Sequence, residues 1–469
     1  MPQFESVLIP PRLPLVVTME NRDGTFTKDS RLVNCYVETN TAKELWIRKR
    51  PGLTVAVTTV ASSGHGVFNW LGDVYAIFNG TLFRNGVSVG SGLNQANGVY
   101  TFNQILGATP KMLFGNGLKT YAYTVAGGIT SDLNTLNVNF PATNVKGIAY
   151  LNGATYVMQV GAQIWGSVVN AVTGAADWTA LNFLAAQIEP DNGVALSKQL
   201  VYVISFNTWS TEVFFDAGNP VGSPLGPVQG SKISYGCMSA DSVQSIDDTL
   251  FWMSNGKGAS PQFSMLSQLN HEIISTKAVD RLLRASDLTN IYSFQLKLDG
   301  HSFYIVTIKN SNVTIVYDVV EGEWHQWTDA DGNYFPFVAA TYDSLNRHIL
   351  QHETDGKLYY MDSTVYNDAG RKITTDIFTP NFDASTRRRK HLNIMEFIAD
   401  QQVGSYLDVR ATDNDFISWT NFRRVKLDVR KPILVNCGTF TKRAYHFRHT
   451  ANTPMRMQAV EVQYDIGTL

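Results

Sequence analysis

A short β-rich unit recurs along this chain, and this recurrence constrains the fold more than any other feature of the sequence. Each copy contains a turn with Gly, Asn or Asp, an aromatic-aliphatic strand, and a second strand that ends in an aromatic residue. The copies begin near residues 72, 109, 153, 198, 248, 300 and 346, at intervals of about 37 to 52 residues. This spacing is typical of β-propeller blades with about four strands each, and it predicts an all-β protein with about six to eight blades between residues 64 and 370.

Residues 300–327 show the unit most clearly. The runs SFYIVTI (302–308) and VTIVYD (313–318) are β-branched and aromatic, and a turn of Lys, Asn and Ser residues separates them. Both runs are apolar almost throughout, so the small sheet should be covered on both faces. Stacking of such sheets around an axis would cover them. We expect four aromatic residues to anchor the blade cores, namely Trp252, Tyr304, Tyr317 and Trp324.

The sequence predicts one helix. Ser275 and Thr276 can cap its first turn, and the apolar residues Val279, Leu282 and Leu283 follow at helical spacing. With so few apolar positions, this helix should pack on the edge of a blade.

Charge is distributed unevenly. The chain of 469 residues has a net charge of −2, but residues 371–469 contain 16 basic and 10 acidic residues, which leaves about +6 there and about −8 in the remainder. This division predicts a separate basic C-terminal domain. Its most basic run is Arg387, Arg388, Arg389 and Lys390, which would either contact phosphates or an acidic protein surface, or form an exposed loop between domains.

A second basic run, Arg48-Lys49-Arg50, precedes Pro51 and Gly52. We interpret it as a solvated strand end and turn, with a contact to a partner as the alternative.

No residues are spaced as a catalytic or metal site requires. Cys35, Cys237 and Cys437 are odd in number and far apart, as expected for buried thiols in a reducing compartment. His446 and His449 lie in a predicted strand, where a spacing of three does not align two metal ligands. We therefore expect no metal, no cofactor and no enzyme activity.

The remaining candidate motifs indicate turns and loops and do not predict a binding or catalytic site. The glycine-rich residues 90–98 lack the Gly-Lys-Ser/Thr ending of a phosphate-binding loop. No run of eighteen apolar residues predicts a membrane span. We expect no signal peptide either, because Pro10, Pro11 and Pro14 interrupt the short apolar run Leu13–Val17 and no basic region precedes it. Residues 412–419 resemble the aspartate-box turn of sialidase-like propellers, although Phe416 replaces the usual glycine. That turn indicates β-architecture alone.

Several segments together resemble the tail nozzle proteins of short-tailed bacteriophages, also called tail hub or packaged-DNA stabilisation proteins. The segments are Gly236–Val243 (GCMSADSV), Phe251–Met253 (FWM), Ile273–Ala278 (IISTKA) and Gly300–Tyr304 (GHSFY) with Trp324-His325, together with Asn34–Tyr36 (NCY), Arg50–Leu53 (RPGL), Ser418-Trp419 and Phe440–Arg448 (FTKRAYHFR).

This resemblance implies a β-propeller joined to a β-rich platform domain made from both chain ends. We therefore expect residues 1–60 to form the N-terminal part of the platform, residues 61–370 the propeller, and residues 371–469 a sandwich-like C-terminal part. The family further implies a homohexameric ring in the virion tail, assembled in the host cytoplasm below the portal. It would contact the tail adaptor or head-completion ring, with tail fibres or tailspikes and a channel plug or needle as further partners.

The same resemblance implies that the ring retains packaged DNA and conducts it during ejection without sequence recognition. A lumen with few cations would let the duplex slide, so we expect neutral and acidic residues to line it, while the basic C-terminal domain seats on an acidic neighbouring ring. The alternative function is a glycan-binding or glycan-cleaving β-propeller that acts as a host-receptor module. A third possible function is that of an intracellular propeller scaffold that binds peptides.

Overall fold

The protein is described here by a computed structural model that covers residues 11–15, 18–26, 28–60, 63–186, 188–219 and 221–467. Its strands form seven propeller blades and a β-sandwich. The all-β propeller predicted from the sequence is confirmed, with a blade number inside the predicted range.

The blades follow one another along the chain as antiparallel sheets. Blade 1 contains Gly64–Trp70, Asp73–Phe78, Thr81–Arg84 and Val87–Ser91; blade 2, Thr101–Ile105, Lys111–Gly115, Thr120–Thr124 and Gly128–Ile129; blade 3, Ala149–Leu151, Ala154–Met158, Gln163–Ser167 and Trp178–Ala185; blade 4, Gly193–Gln199, Tyr202–Asn207, Thr211–Asp216 and Leu225–Pro227. Blade 5 contains Gly236–Cys237, Gln244–Ile246, Thr249–Asn255, Gln262–Ser267 and Asn270–Ile273; blade 6, Ile291–Leu298, His301–Ile308, Val313–Asp318 and Glu323–Gln326; blade 7 begins with Phe337–Tyr342, His348–His352 and Lys357–Asp362.

Tight turns fix the first hairpin of several blades. At Asn152-Gly153 in blade 3 and Asp299-Gly300 in blade 6, both turn residues have positive φ, 50° and 86°, and 49° and 86°. Two-residue hairpin turns of this kind match the twist of the flanking strands and favour Asn-Gly or Asp-Gly. The predicted strands of blade 6 are confirmed, and both are buried along their whole length.

Blade 7 is completed by a strand from the start of the chain. Gly52–Thr58 pairs antiparallel with Lys357–Asp362 and so becomes the fourth strand of this blade. The boundary predicted at residue 60 instead groups this segment with the N-terminal part of the platform. The small hairpin of Asn367–Asp368 and Arg371–Lys372 then covers the outer edge of the added strand.

Seven apolar clusters fill the junctions between neighbouring blades and close the ring. Several of these junctions contain a buried tryptophan, which contributes a large apolar surface. Trp178 lies between blades 2 and 3, and Trp252 lies between blades 4 and 5. The last junction, between blades 7 and 1, contains Phe78 and Ile349. Each sheet is therefore covered on both faces by its neighbours.

The predicted helix is confirmed as Lys277–Ala285, with Thr276 as its N-cap. The Thr276 hydroxyl accepts a hydrogen bond from the Val279 amide at 3.4 Å. Val279, Leu282 and Leu283 are buried in the cluster between blades 5 and 6. The other helical segments are the single turns Leu133–Leu136, Ala240–Ser242 and Lys309–Ser311.

The chain ends build a β-sandwich, which we call the platform. Its first sheet continues directly from blade 6, because Val33 pairs with Gln326. In spatial order this sheet contains Arg31–Val33, Thr375–Phe378, Ala444–His449, Tyr406–Thr412 and Arg423–Lys426. The second sheet contains Cys35–Thr39, Leu45–Lys49, Arg456–Ile466, Lys390–Ala399 and Ile433–Val435, with Thr439–Phe440 beside Lys390–Ala399. A single apolar core between them includes Leu32, Met395, Phe447 and Val460.

Candidate functional site: the propeller axis and the platform

One ion pair closes the propeller axis. Lys146 precedes blade 3 and its backbone pairs with Ala195 in blade 4, while its Nζ lies 2.7 Å from a carboxylate oxygen of Asp241, which precedes Gln244–Ile246 of blade 5. The pair therefore joins blades that are not neighbours. Gly98, between blades 1 and 2, also lies beside Nζ. Because non-adjacent blades approach each other only around the axis, this ion pair lies across the central channel.

Burial raises the pKa of Asp241, and the Lys146 ammonium opposes that shift. The Lys146 side chain is 5% exposed, so its charge depends on this one carboxylate for compensation. Sequence reasoning missed both residues, although Asp241 lies in a segment that carries the family resemblance.

A polar cavity of about 590 Å³ lies among blades 1, 5, 6 and 7. The first strands of blades 1, 6 and 7 and the turn after Ile246 line it, and the polar lining includes Asp247, Asp248, Lys297 and His348. Lys297 forms an ion pair with Asp247. The charged side chains of its lining are one lysine and two aspartates.

The joint between propeller and platform is built around a fully buried arginine. All five N–H groups of Arg50 donate: Nε to Asn34 Oδ1 at 3.0 Å, Nη1 to Pro51 O and Asp368 Oδ1 at 3.0 Å each, and Nη2 to Thr328 O at 3.2 Å and Asp368 Oδ2 at 2.6 Å. Arg50 is 0% exposed. The joint thus ties blades 6 and 7 to the platform through one guanidinium.

Neighbouring residues support this arrangement. The Arg50 guanidinium lies over the rings of Phe335 and Trp327, with 5.0 Å and 5.8 Å to the centroids. Lys49 is buried as well and donates to Ala451 O at 2.8 Å, and burial lowers its pKa to about 7. The interpretation of this run as a solvated strand end is wrong for Lys49 and Arg50, because both side chains face the interior of the joint.

The basic run of the platform divides into exposed and buried parts. Arg387, Arg388 and Arg389 are exposed, and none of them forms an ion pair with a described residue. Lys390 is 0% exposed; its Nζ donates to Thr386 O at 2.6 Å and to Thr441 O at 2.7 Å. A contact with a partner would therefore involve the three arginines, with Lys390 fixing the base of their loop.

The four predicted anchors lie in two junctions between blades. Trp252 is between blades 4 and 5, and Tyr304, Tyr317 and Trp324 are between blades 5 and 6. Two of these buried side chains also donate hydrogen bonds to backbone carbonyls. Trp252 Nε1 donates to Gly236 O at 3.0 Å, and Tyr304 Oη donates to Ser242 O at 2.6 Å.

The residues of the histidine and aspartate motifs contact other side chains of the platform. His446 Nε2 is 2.7 Å from Asp376 Oδ1, and His449 Nε2 is 3.0 Å from Ser405 Oγ. Asp413 of the predicted aspartate turn forms an ion pair with Arg443 at 2.6 Å. Within the described ranges, no group of three or more His, Cys, Asp or Glu is placed to hold a metal ion.

Among the described residues, the cysteines form no disulfide and the helices form no membrane span. Cys35 and Cys237 are buried, Cys437 is partly exposed, and all three are free thiols. Burial raises the pKa of Cys237 to about 12, so its thiolate is disfavoured. Helices in the described part of the chain are all too short or too polar to cross a membrane.

Comparisons with known proteins found one family model and a number of solved structures. A family model described as bacteriophage P22 Gp10, β-propeller, matches residues 12–366. Similar solved structures include the computationally designed Ika8 protein (10% identity, TM-score 0.40, 66% of this chain and 99% of that chain), and the WD40 β-propeller domain of Doa1 (11%, 0.41, 67% and 97%). Another is the extracellular domain of BT4673 from B. thetaiotaomicron (9%, 0.44, 92% and 62%). No curated protein matches the chain significantly.

The fold and the family model define a structural β-propeller protein of a bacteriophage virion. Because the model matches more than half of its length, the chain belongs to the phage stabilisation family of tail nozzle proteins, the family of bacteriophage P22 Gp10. The resemblance found in the sequence is confirmed, and the protein is a component of the virion tail.

Proposed function

We propose that six copies of this chain form a ring that closes the portal channel, retains the packaged DNA and conducts it during ejection. The observation that carries the proposal is the closed propeller axis. Lys146 and Asp241 lie across it at 2.7 Å, so a duplex has no path through a single copy. Any conduit must therefore be a space that several copies enclose.

A stiff protomer suits this role. The Arg50 joint and the shared sheet of blade 6 and the platform connect the two parts through buried hydrogen bonds and backbone pairing. The lumen would be lined by neutral and acidic residues of the part that carries about −8, because few phosphate contacts let DNA slide.

The platform would seat the ring on an acidic neighbour, the tail adaptor. The exposed residues Arg387, Arg388 and Arg389 supply three cations without intramolecular partners in the described chain. Tail fibres or tailspikes and a channel plug or needle are further proposed partners.

Electron microscopy of the purified protein, alone and with the portal–adaptor complex, tests this proposal. We expect six-fold rings on the complex and, on DNA-filled heads that carry the ring, DNA density in the space between copies. The variant R387Q/R388Q/R389Q should bind the complex more weakly, whereas K43Q/K198Q/K277Q, which removes three other exposed cations, should bind like the parent. DNA density along the axis of a single propeller, or a protein that stays monomeric on the complex and hydrolyses glycans, would refute it.

A further inference from the structure

The outer face of the first platform sheet carries two parallel rows of side chains. In the first row, carboxylates neutralise the arginines. The strand register places four residues side by side on adjacent strands, in the order Asp376, Arg448, Asp408 and Arg424. Arg448 Nε is 2.7 Å from Asp376 Oδ1, and Arg424 Nε is 2.8 Å from Asp408 Oδ1. Each arginine of this row thus has its own carboxylate.

The second row has two stacked rings between two arginines. Arg31, Phe378, His446 and Arg410 are cross-strand neighbours. The Arg31 guanidinium lies 3.8 Å from the Phe378 centroid, and the Phe378 and His446 rings stack at 4.0 Å. Arg410 Nε donates to His446 Nδ1 at 2.8 Å, and its guanidinium lies 4.6 Å from the centroid of Phe422.

The second row has no carboxylate of its own. Neither Arg31 nor Arg410 forms an ion pair within the described residues. His446 adds no negative charge, since its Nδ1 accepts from Arg410 while its Nε2 donates to Asp376. Burial lowers the pKa of both arginines, that of Arg31 to about 10. The carboxylate of Asp376 opposes this shift at both arginines, and that of Asp29 does so at Arg31, but neither forms an ion pair with them. Partly buried cations without an ion pair are unfavourable, and an incoming anion would relieve this cost.

Three rings of this face are already covered by guanidiniums. Arg31 occupies Phe378, Arg410 lies 4.9 Å from the centroid of Trp419, and Arg424 lies 3.7 Å from that of Tyr406. Nucleic-acid bases stack on free aromatic faces, whereas stacked guanidiniums offer their N–H edges to carboxylates in bidentate pairs. The geometry therefore favours an acidic protein over a single-stranded nucleic acid.

We propose that this surface, the arginine face, docks an extended carboxylate-bearing segment of another protein through Arg31 and Arg410. Phe422, which is 38% exposed, borders the contact and packs against apolar parts of the segment. The arginine face differs from the run 387–389, and its binding does not depend on the number of copies in a ring.

The test measures the fluorescence anisotropy of a labelled oligoglutamate peptide at low salt. R31Q and R410Q should each weaken binding about tenfold, the loss expected for a charge-assisted hydrogen-bonded pair. R410K, which keeps the charge and loses the planar fork, should show an intermediate loss. Two variants that remove the same charge elsewhere serve as controls. R424Q removes an arginine of the same face that already has a carboxylate partner, and R387Q removes one of the exposed run 387–389. Both should change affinity less than about threefold.

Thermal unfolding checks that each variant folds, and if R31Q does not fold, R410Q and R410K decide. Equal losses in R410Q and R424Q would mean non-specific attraction and would overturn the proposal. An oligothymidylate probe that binds more tightly than oligoglutamate and loses affinity in R410Q would also overturn it, in favour of a nucleic-acid site.

Discussion

Removal of the Arg50 side chain should uncouple the two parts of the molecule. The substitution Arg50→Ala takes away five hydrogen bonds and leaves both Asp368 oxygens and Asn34 Oδ1 without their guanidinium partner. Thr328 O loses a donor as well. The Asp368 carboxylate is only 14% exposed, so water replaces little of what is lost.

The expected cost follows from this burial. Removing one partner of a buried ion pair costs about 3–5 kcal/mol, because the other charge stays buried without compensation. Arg50→Lys keeps the charge but not the fork that reaches Asp368 and Asn34 together, and we expect about 1–3 kcal/mol. The double variant R50A/D368A should lose less than the sum of the two single variants, since it leaves no lone charge.

Denaturant unfolding followed by tryptophan fluorescence measures these differences, and Trp327 beside the guanidinium is one of the nine tryptophans that contribute to the signal. Arg371→Ala is a matched control, because its ion pair with Asp331 is 56% and 64% exposed and should contribute less than about 1 kcal/mol. An unfolding free energy of R50A equal to that of R371A would refute the role of the joint.

Four further substitutions test the fold and the burial of Lys49. Trp324→Ala should lower the unfolding free energy by about 3–5 kcal/mol, measured in denaturant, and an unchanged value would contradict its place between blades 5 and 6. Gly147→Ala should cost about 2 kcal/mol or more, because φ is 100° and a Cβ would lie 1.8 Å from the Leu196 oxygen. Gly72→Ala, at φ 86° with open space, should cost only about 1 kcal/mol. Lys49 has a folded pKa of about 7 against an ordinary 10.5, so the unfolded chain binds more protons between these values. The parent should therefore gain stability relative to K49M as the pH rises through that window, and a constant difference would contradict the burial of a neutral amine.

Local patterns in the sequence predicted the blades well. Continuous apolar runs such as residues 302–308 demand cover on both faces, and hairpin turns such as Asp299-Gly300 set strand pairing within a few residues. The capped helix after Thr276 follows from equally local rules. These features depend on neighbours in sequence, so a single chain reveals them.

Long-range partners could not be predicted in this way. Nothing near Arg50 indicates that Asp368 neutralises it, and a basic run before Pro-Gly has the composition of a solvated turn. Lys146 and Asp241 are 95 positions apart and meet only because seven blades surround one axis. The arginine face likewise depends on strand order, which puts residues 31, 378, 446 and 410 side by side.

The strand that completes blade 7 has a consequence for biosynthesis. Gly52–Thr58 leaves the ribosome about three hundred residues before its partner Lys357–Asp362 is made. Until then the nascent polypeptide carries an unsatisfied strand while six blades accumulate. A chain whose synthesis stops before residue 362 would thus be an open arc of blades with an unpaired strand edge that can associate with other chains.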